Sequence, residues 1–151
     1  MELFLDLDGV LADFDQGVVA VTGRRPEELP LPAMWRALSR HPDFFNTLAF
    51  MEDARELWAF CEPFRPTILT GLPMGSWAPD QKRRWVARML GPTIPVITCM
   101  ARDKAKHAGP GRVLVDDREK AREPWVRAGG TFILHSGAAR SIAELQALGF
   151  R

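Results

Sequence analysis

The stretch Glu2-Leu3-Phe4-Leu5-Asp6-Leu7-Asp8-Gly9 opens the chain with an apolar run that ends in carboxylates. A short run apolar on successive residues suits a strand buried on both faces, as in a parallel sheet flanked by helices. Side chains two apart on an extended segment point the same way, so Asp6 and Asp8 face one ligand, and Gly9 lets the chain turn away behind them. In open parallel sheets ligands bind beyond the carboxyl ends of the strands, which is where this pair falls.

Working outward, four more runs of the same character read as strands: Thr67-Thr70, Ile94-Thr98, Arg112-Asp116 and Thr131-His135, with the first covering Glu2-Leu7. Helical periodicity fills the gaps at Asp53-Cys61, Ser76-Leu90, Arg118-Ala128 and Ser141-Leu148. Strand and helix in alternation predict an α/β fold: a doubly wound, Rossmann-like parallel sheet of five strands with helices on both faces. The segment from Asp13 to Glu52 is too long for a plain connection. Its prolines (Pro26, Pro30, Pro32, Pro42) and its aromatics Phe14, Trp35, Phe44, Phe45 and Phe50 predict a small helical cap at about residues 14–52, inserted after the first strand of a single domain, 1–151.

Composition agrees with one domain. A chain of 151 residues that is 46% hydrophobic and 26% charged buries one core and leaves no room for a large second unit. A net charge of +1 gives no field for long nucleic acid or an anionic membrane, and no apolar stretch is long enough to span a bilayer. The N-terminus lacks a basic leader, and Cys61 and Cys99 lie far apart, so the expectation is a cytoplasmic chain with two buried, reduced thiols.

The chemistry gathers at strand ends. Asp116-Asp117 closes the fourth strand as Asp6 and Asp8 close the first; carboxylates crowded at one sheet edge repel unless a cation joins them, and hard oxygen donors select Mg²⁺. Thr70-Gly71 ends the second strand with a hydroxyl and backbone amides, and Lys104 follows the third with a compact positive charge; together they suit a phosphate. Blander readings stand beside these. Asp-x-Asp-Gly occurs in calcium loops, but here the glycine comes too early and a strand precedes it. Asp116-Asp117 also suits the cap of the following helix. His41, His107 and His135 are scattered without metal-ligand spacing.

In this order, Asp6-Leu7-Asp8-Gly9-Val10, Leu69-Thr70-Gly71, Lys104 and Asp116-Asp117 resemble the four motifs of the haloacid dehalogenase superfamily. A narrower resemblance is to the 5′(3′)-deoxyribonucleotidases, carried by the opening Asp6-Leu7-Asp8-Gly9-Val10-Leu11-Ala12-Asp13-Phe14, by Phe44-Phe45-Asn46-Thr47-Leu48, by Arg102-Asp103-Lys104 and by Asp116-Asp117-Arg118. The chain departs from that family at Gly71, where a serine is usual, and at Phe50-Met51-Glu52-Asp53, where the family has a proline-glycine segment; these departures bear on substrate identity.

The superfamily resemblance implies Asp6 as covalent nucleophile, Asp8 as general acid and base, and Mg²⁺ held by Asp6, the Asp8 carbonyl and Asp117 with Asp116 behind them. Thr70, Gly71 and Lys104 would bind the phosphoryl oxygens. Lys104 is preferred over Lys82 and Lys106 on motif agreement; Lys82-Arg83-Arg84, with Trp85 and Arg88, reads as the wet face of an amphipathic helix. Phe14, Trp35, Phe44 and Phe45 are candidates for a pocket holding the leaving group, each equally readable as core. The expected substrate is a small phosphorylated metabolite, a nucleoside monophosphate first. Sugar phosphates and other small phosphoesters, a phosphotransfer reaction, or a non-catalytic domain binding a phosphorylated ligand are the competing readings. The family resemblance also suggests a homodimer.

Overall fold

The computed structural model describes residues 1–151. Five strands, β1 (Glu2–Leu5), β2 (Thr67–Gly71), β3 (Val96–Cys99), β4 (Arg112–Asp116) and β5 (Thr131–Leu134), pair in parallel in the order β3-β2-β1-β4-β5. The helices are α1 (Phe14–Thr22), α2 (Leu31–Arg40), α3 (Ala54–Cys61), α4 (Ala78–Met89), α5 (Arg122–Arg127) and α6 (Ala138–Leu148). The expected α/β class and doubly wound order are therefore what the chain adopts. No helix is long and apolar enough to cross a membrane.

Continuous apolarity in β1 has the predicted cause. Leu3 and Leu5 face the larger buried cluster with Leu57, Ile68 and Val115, while Phe4 faces a second one with Leu69, Leu114, Trp125 and Phe132. Both faces are thus covered, as parallel sheets require.

Several boundaries shift, most for local reasons and one for a distant one. β1 ends at Leu5, not Leu7, because Leu11 and Ala12 donate their amides back to the Leu7 carbonyl and roll the chain into a turn. β3 starts after Pro95, which has no amide to give a ladder. The helix expected at Arg118-Ala128 divides into a 3-10 turn, Glu119–Ala121, and α5. The last helix starts at Ala138, three residues before the expected Ser141, because the distant Asp53 carboxylate accepts the Ala138 amide at 2.6 Å and caps it. Cys61 is buried, but Cys99 is only half-buried, against the expectation of two buried thiols.

Between β1 and α3 the chain makes α1, a 3-10 turn at Pro26–Glu28, α2 and a second 3-10 turn at Phe45–Thr47. Its two ends are stitched together at the sheet edge: Asp13 donates its amide to Ala49, and Met51 to Leu11. Asp13 caps α1 by accepting from the Gln16 amide, and Gly23 ends that helix in a left-handed conformation.

Candidate active site

Strand register brings the acidic residues together. Leu5 pairs with Val115 on one side and Ile68 on the other, so Asp6 emerges beside Asp116, and its amide still reaches the Val115 carbonyl at 2.9 Å. Asp6, Asp116 and Asp117 each present a carboxylate oxygen within 4.8 Å of the others. Lys104, on the 3-10 turn Ala101–His107, sets its ammonium 2.9 Å from Asp6 Oδ1 and 2.9 Å from Asp116 Oδ2. Burial alone would lower the Lys104 pKa; the two carboxylates outweigh it and hold the group charged, above the ordinary lysine value.

One ammonium does not balance three carboxylates. The excess appears on Asp117, whose pKa is pushed up to about 8 by desolvation first, then by the Asp6 charge and a hydrogen bond to Asp6. Asp116 is raised too, chiefly by burial and then by Asp6, with Lys104 and the Arg118 amide pulling the other way. A cluster of hard oxygen donors with uncompensated charge fits a small divalent cation such as Mg²⁺. Gly9 makes room for it: the residue sits at φ +81, and a Cβ there would lie 2.0 Å from Asp117 Oδ2. The motif glycine is needed both for its backbone conformation and for the carboxylate packed against it.

Asp8 points into the same cavity but has a different partner. Lys82, from the second turn of α4, is 1% exposed and donates to Asp8 Oδ2 at 2.8 Å, Thr70 Oγ1 at 2.9 Å and the Gly71 carbonyl at 2.7 Å. This corrects the reading of Lys82 as part of a wet face, and Trp85 likewise is fully buried, its indole donating to the Leu48 carbonyl. Arg84 and Arg88 do lie on the exposed side, where they clamp Asp43 and Asn46. A signal was present: Lys82 shares a helix face with Ala78, Trp85 and Val86, so a charge sits in the middle of the apolar stripe.

Counting donors separates the two lysines. An ammonium has three N–H groups. Lys82 spends all three inside the protein, whereas Lys104 spends two and keeps one for a ligand. Thr70 is fully buried; its oxygen accepts from Lys82, leaving its own O–H to donate. Asp8 Oδ1 has no hydrogen-bond partner within the protein.

Asp6, Asp8, Gly71, Lys104 and Asp117 line one cavity of about 510 Å³ with Phe14, Trp35 and Phe45 on its wall. That is within the usual range for a small-molecule site. Phe45 stacks on Trp77 at 5.3 Å and lies near-parallel to Phe14 at 6.2 Å; Lys82 Nζ sits 4.5 Å over its ring. Phe44 is not on the wall. It is 1% exposed and packed edge-on against Phe14 and Phe45; Phe45 is also a core residue, 2% exposed, although it borders the cavity. The site thus assembles Asp6, Asp8, Gly71, Lys104, Asp116, Asp117 and three of the four aromatics, with Thr70 just beneath.

No family model matches the chain. In sequence it is 28% identical to the cytosolic-type 5′(3′)-deoxyribonucleotidase of Homo sapiens, over 81% of this chain and 73% of that one. In structure it is similar to a HAD-superfamily hydrolase from Ehrlichia chaffeensis, with a TM-score of 0.60 at 10% identity, covering 97% of this chain and 96% of the other. An L-2-haloacid dehalogenase from Xanthobacter autotrophicus matches with a TM-score of 0.55 at 14% identity, covering 98% and 82%. A HAD family hydrolase from Deinococcus radiodurans R1, solved with bound phosphate and sodium, matches with a TM-score of 0.55 at 15% identity, covering 95% and 87%. The chain therefore has the fold of the haloacid dehalogenase-type hydrolases, with the four quoted motifs at the ends of β1, β2 and β4 and just after β3, and is similar in sequence to a deoxyribonucleotidase.

Proposed function

We propose that the protein is a magnesium-dependent phosphomonoesterase that works through an aspartyl phosphate on Asp6 and takes nucleoside monophosphates. The observation that carries this reading is that two carboxylates on one cavity have separate lysine partners, Asp6 with Lys104 and Asp8 with Lys82. A nucleophile must meet its phosphate beside a positive charge. Lys104 provides it, because the donor it retains can take a phosphoryl oxygen as charge builds in the transition state.

In the first displacement an Asp6 oxygen bonds to phosphorus as the ester P–O bond breaks, and the departing alkoxide takes a proton from Asp8. In the second, Asp8 removes a proton from water, the water oxygen bonds to phosphorus and the Asp6–phosphorus bond breaks, releasing inorganic phosphate and restoring both residues. Thr70, Gly71 and Lys104 bind the remaining oxygens. Asp6, the Asp8 carbonyl and Asp117, with Asp116 behind them, would hold Mg²⁺, which when bound offsets repulsion between the anionic nucleophile and the phosphate.

Substrate class rests on the wall opposite. Residues 14–52 act as a small cap on a single domain, and the half-buried Phe14 and Trp35, backed by Phe45, give flat apolar surface of the kind that stacks on a nucleobase. The similar human protein is a deoxyribonucleotidase, which supports the same choice. The test is phosphate release from nucleoside 5′- and 3′-monophosphates and sugar phosphates with Mg²⁺, beside Asp6→Asn. Nucleotide turnover that disappears in Asp6→Asn is the expected result. Asp6-dependent release confined to sugar phosphates would overturn the nucleotide assignment, and no release from any ester would overturn the phosphatase.

A further inference from the structure

Lys82 has a role that neither motif order nor the phosphate chemistry assigns to it. It is as buried as the core around it, at 1% exposure, and an unpaired ammonium does not survive such burial. Here it is fully partnered: Asp8 Oδ2, Thr70 Oγ1 and the Gly71 carbonyl take its three protons, and the Phe45 ring face covers it at 4.5 Å. No donor remains for a phosphoryl oxygen. Two of the four contacts, Thr70 and Gly71, belong to β2 and are rigid; the other two are Asp8 and a wall residue of the cavity.

From this we infer that Lys82 is a positioning residue for acid–base catalysis, fixing the orientation of the Asp8 carboxylate through one oxygen and tying that carboxylate to the aromatic wall through Phe45. The inference rests on the phosphatase reading above and deepens it. Lys82 fixes Oδ2, and Oδ1 is buried with no partner within the protein, so Lys82 is the one side chain that orients the carboxylate which gives its proton to the departing ester oxygen and later takes one from water. The wall itself is held from α4: Gln81 accepts the Phe45 amide at 2.9 Å, Trp85 donates to Leu48, and Arg84 and Arg88 clamp Asp43 and Asn46. One helix therefore locates both the surface that seats the leaving group and the carboxylate that protonates it. A leaving group in the cavity that Phe45 and Asp8 both line is registered against Asp8 through the side chain that touches both.

The experiment exploits the difference between leaving groups. An alkoxide from a nucleotide needs a proton to depart; p-nitrophenolate does not. Lys82→Met, with Asp8→Asn in parallel, is assayed on the best nucleotide substrate and on p-nitrophenyl phosphate by rapid quench. On the nucleotide, kcat should fall by about 10²- to 10⁴-fold with KM nearly unchanged. On p-nitrophenyl phosphate the first burst of nitrophenol should survive while steady turnover, which needs Asp8 as base, falls. The double variant should be no worse than Asp8→Asn, because the two residues act as one unit.

If Lys82→Met does not melt cooperatively, Lys82→Gln, which keeps a donor at similar reach, is measured instead. Equal loss of the burst and of nucleotide turnover, or no loss on either, would overturn the positioning role while the phosphatase stands. No Asp6-dependent release from the intact protein would overturn both.

Discussion

Gly9→Ala is the substitution with the sharpest expected outcome, because its effects on stability and on function separate. The added Cβ would lie 2.0 Å from Asp117 Oδ2 and 2.7 Å from its Cγ. Ordinary contact is at about 3.5 Å, so the carboxylate must retreat by roughly 1.5 Å. Asp117 is the far end of a side chain exposed to the cavity, so it can swing away at little cost to folding. What folding does lose is the penalty for an alanine at φ +81, about 1–2 kcal/mol. Function loses more: a displacement near 1 Å in a reacting site costs on the order of 10²-fold in rate. Mg²⁺ titration by calorimetry should show weaker binding, phosphate release should fall by at least about 10²-fold, and the denaturant midpoint should move only modestly. An alanine variant with native Mg²⁺ affinity and native turnover would refute the placement of Asp117 against Gly9 and its role as a ligand.

Lys104→Met removes the only charge paired with buried Asp6 and Asp116, and losing one partner of a buried ion pair costs about 3–5 kcal/mol. Urea unfolding should show the loss, and adding Asp6→Asn should restore part of it by removing one unpaired carboxylate; a double variant no more stable than Lys104→Met would contradict the pairing. His135 is held below its ordinary pKa, by burial first, with the Asp53 charge opposing in part, and its Nδ1 lies 2.7 Å from Ser141 Oγ. The unfolded chain therefore binds a proton that the folded one refuses, so this contribution is complete above about pH 6.5 and is lost as the pH falls below it. The denaturation midpoint of the intact protein should fall more between about pH 7.5 and 5 than that of His135→Gln; equal slopes would show that His135 is not the group responsible.

Much of this was legible in the chain because it is local. Strands buried on both faces advertise themselves as unbroken apolar runs, and a carboxylate at the end of such a run has one place to be in a doubly wound sheet. Asp6, Asp8, Gly9, Lys104, Asp116 and Asp117 all sit within a few residues of a strand end, so reading the strands placed them. Lys82 had no such marker. It rides on a helix among arginines, and whether a helical lysine is wet depends on what that helix packs against. Its partners lie 74, 12 and 11 residues away, and the helix turns it inward because Trp85 and Val86 on the same face must be buried.

The cap aromatics show the same division. Phe44 and Phe45 are adjacent and chemically identical, so composition and spacing give both the same standing; both rings are buried, but with the turn at Phe45–Thr47 pinned from α4 through Gln81 and Trp85 only Phe45 borders the cavity. The start of α6 likewise waited for Asp53, a carboxylate 85 residues upstream. The chain's apolar periodicity and motif order determined the strands, the doubly wound class and the strand ends that carry the acidic residues, since each follows from neighbours along the backbone, while the pairing of β1 with β4 brought those ends together. Which lysine holds which aspartate, and which aromatic borders the cavity, were decided only when long-range packing chose the face that each helix and turn would bury.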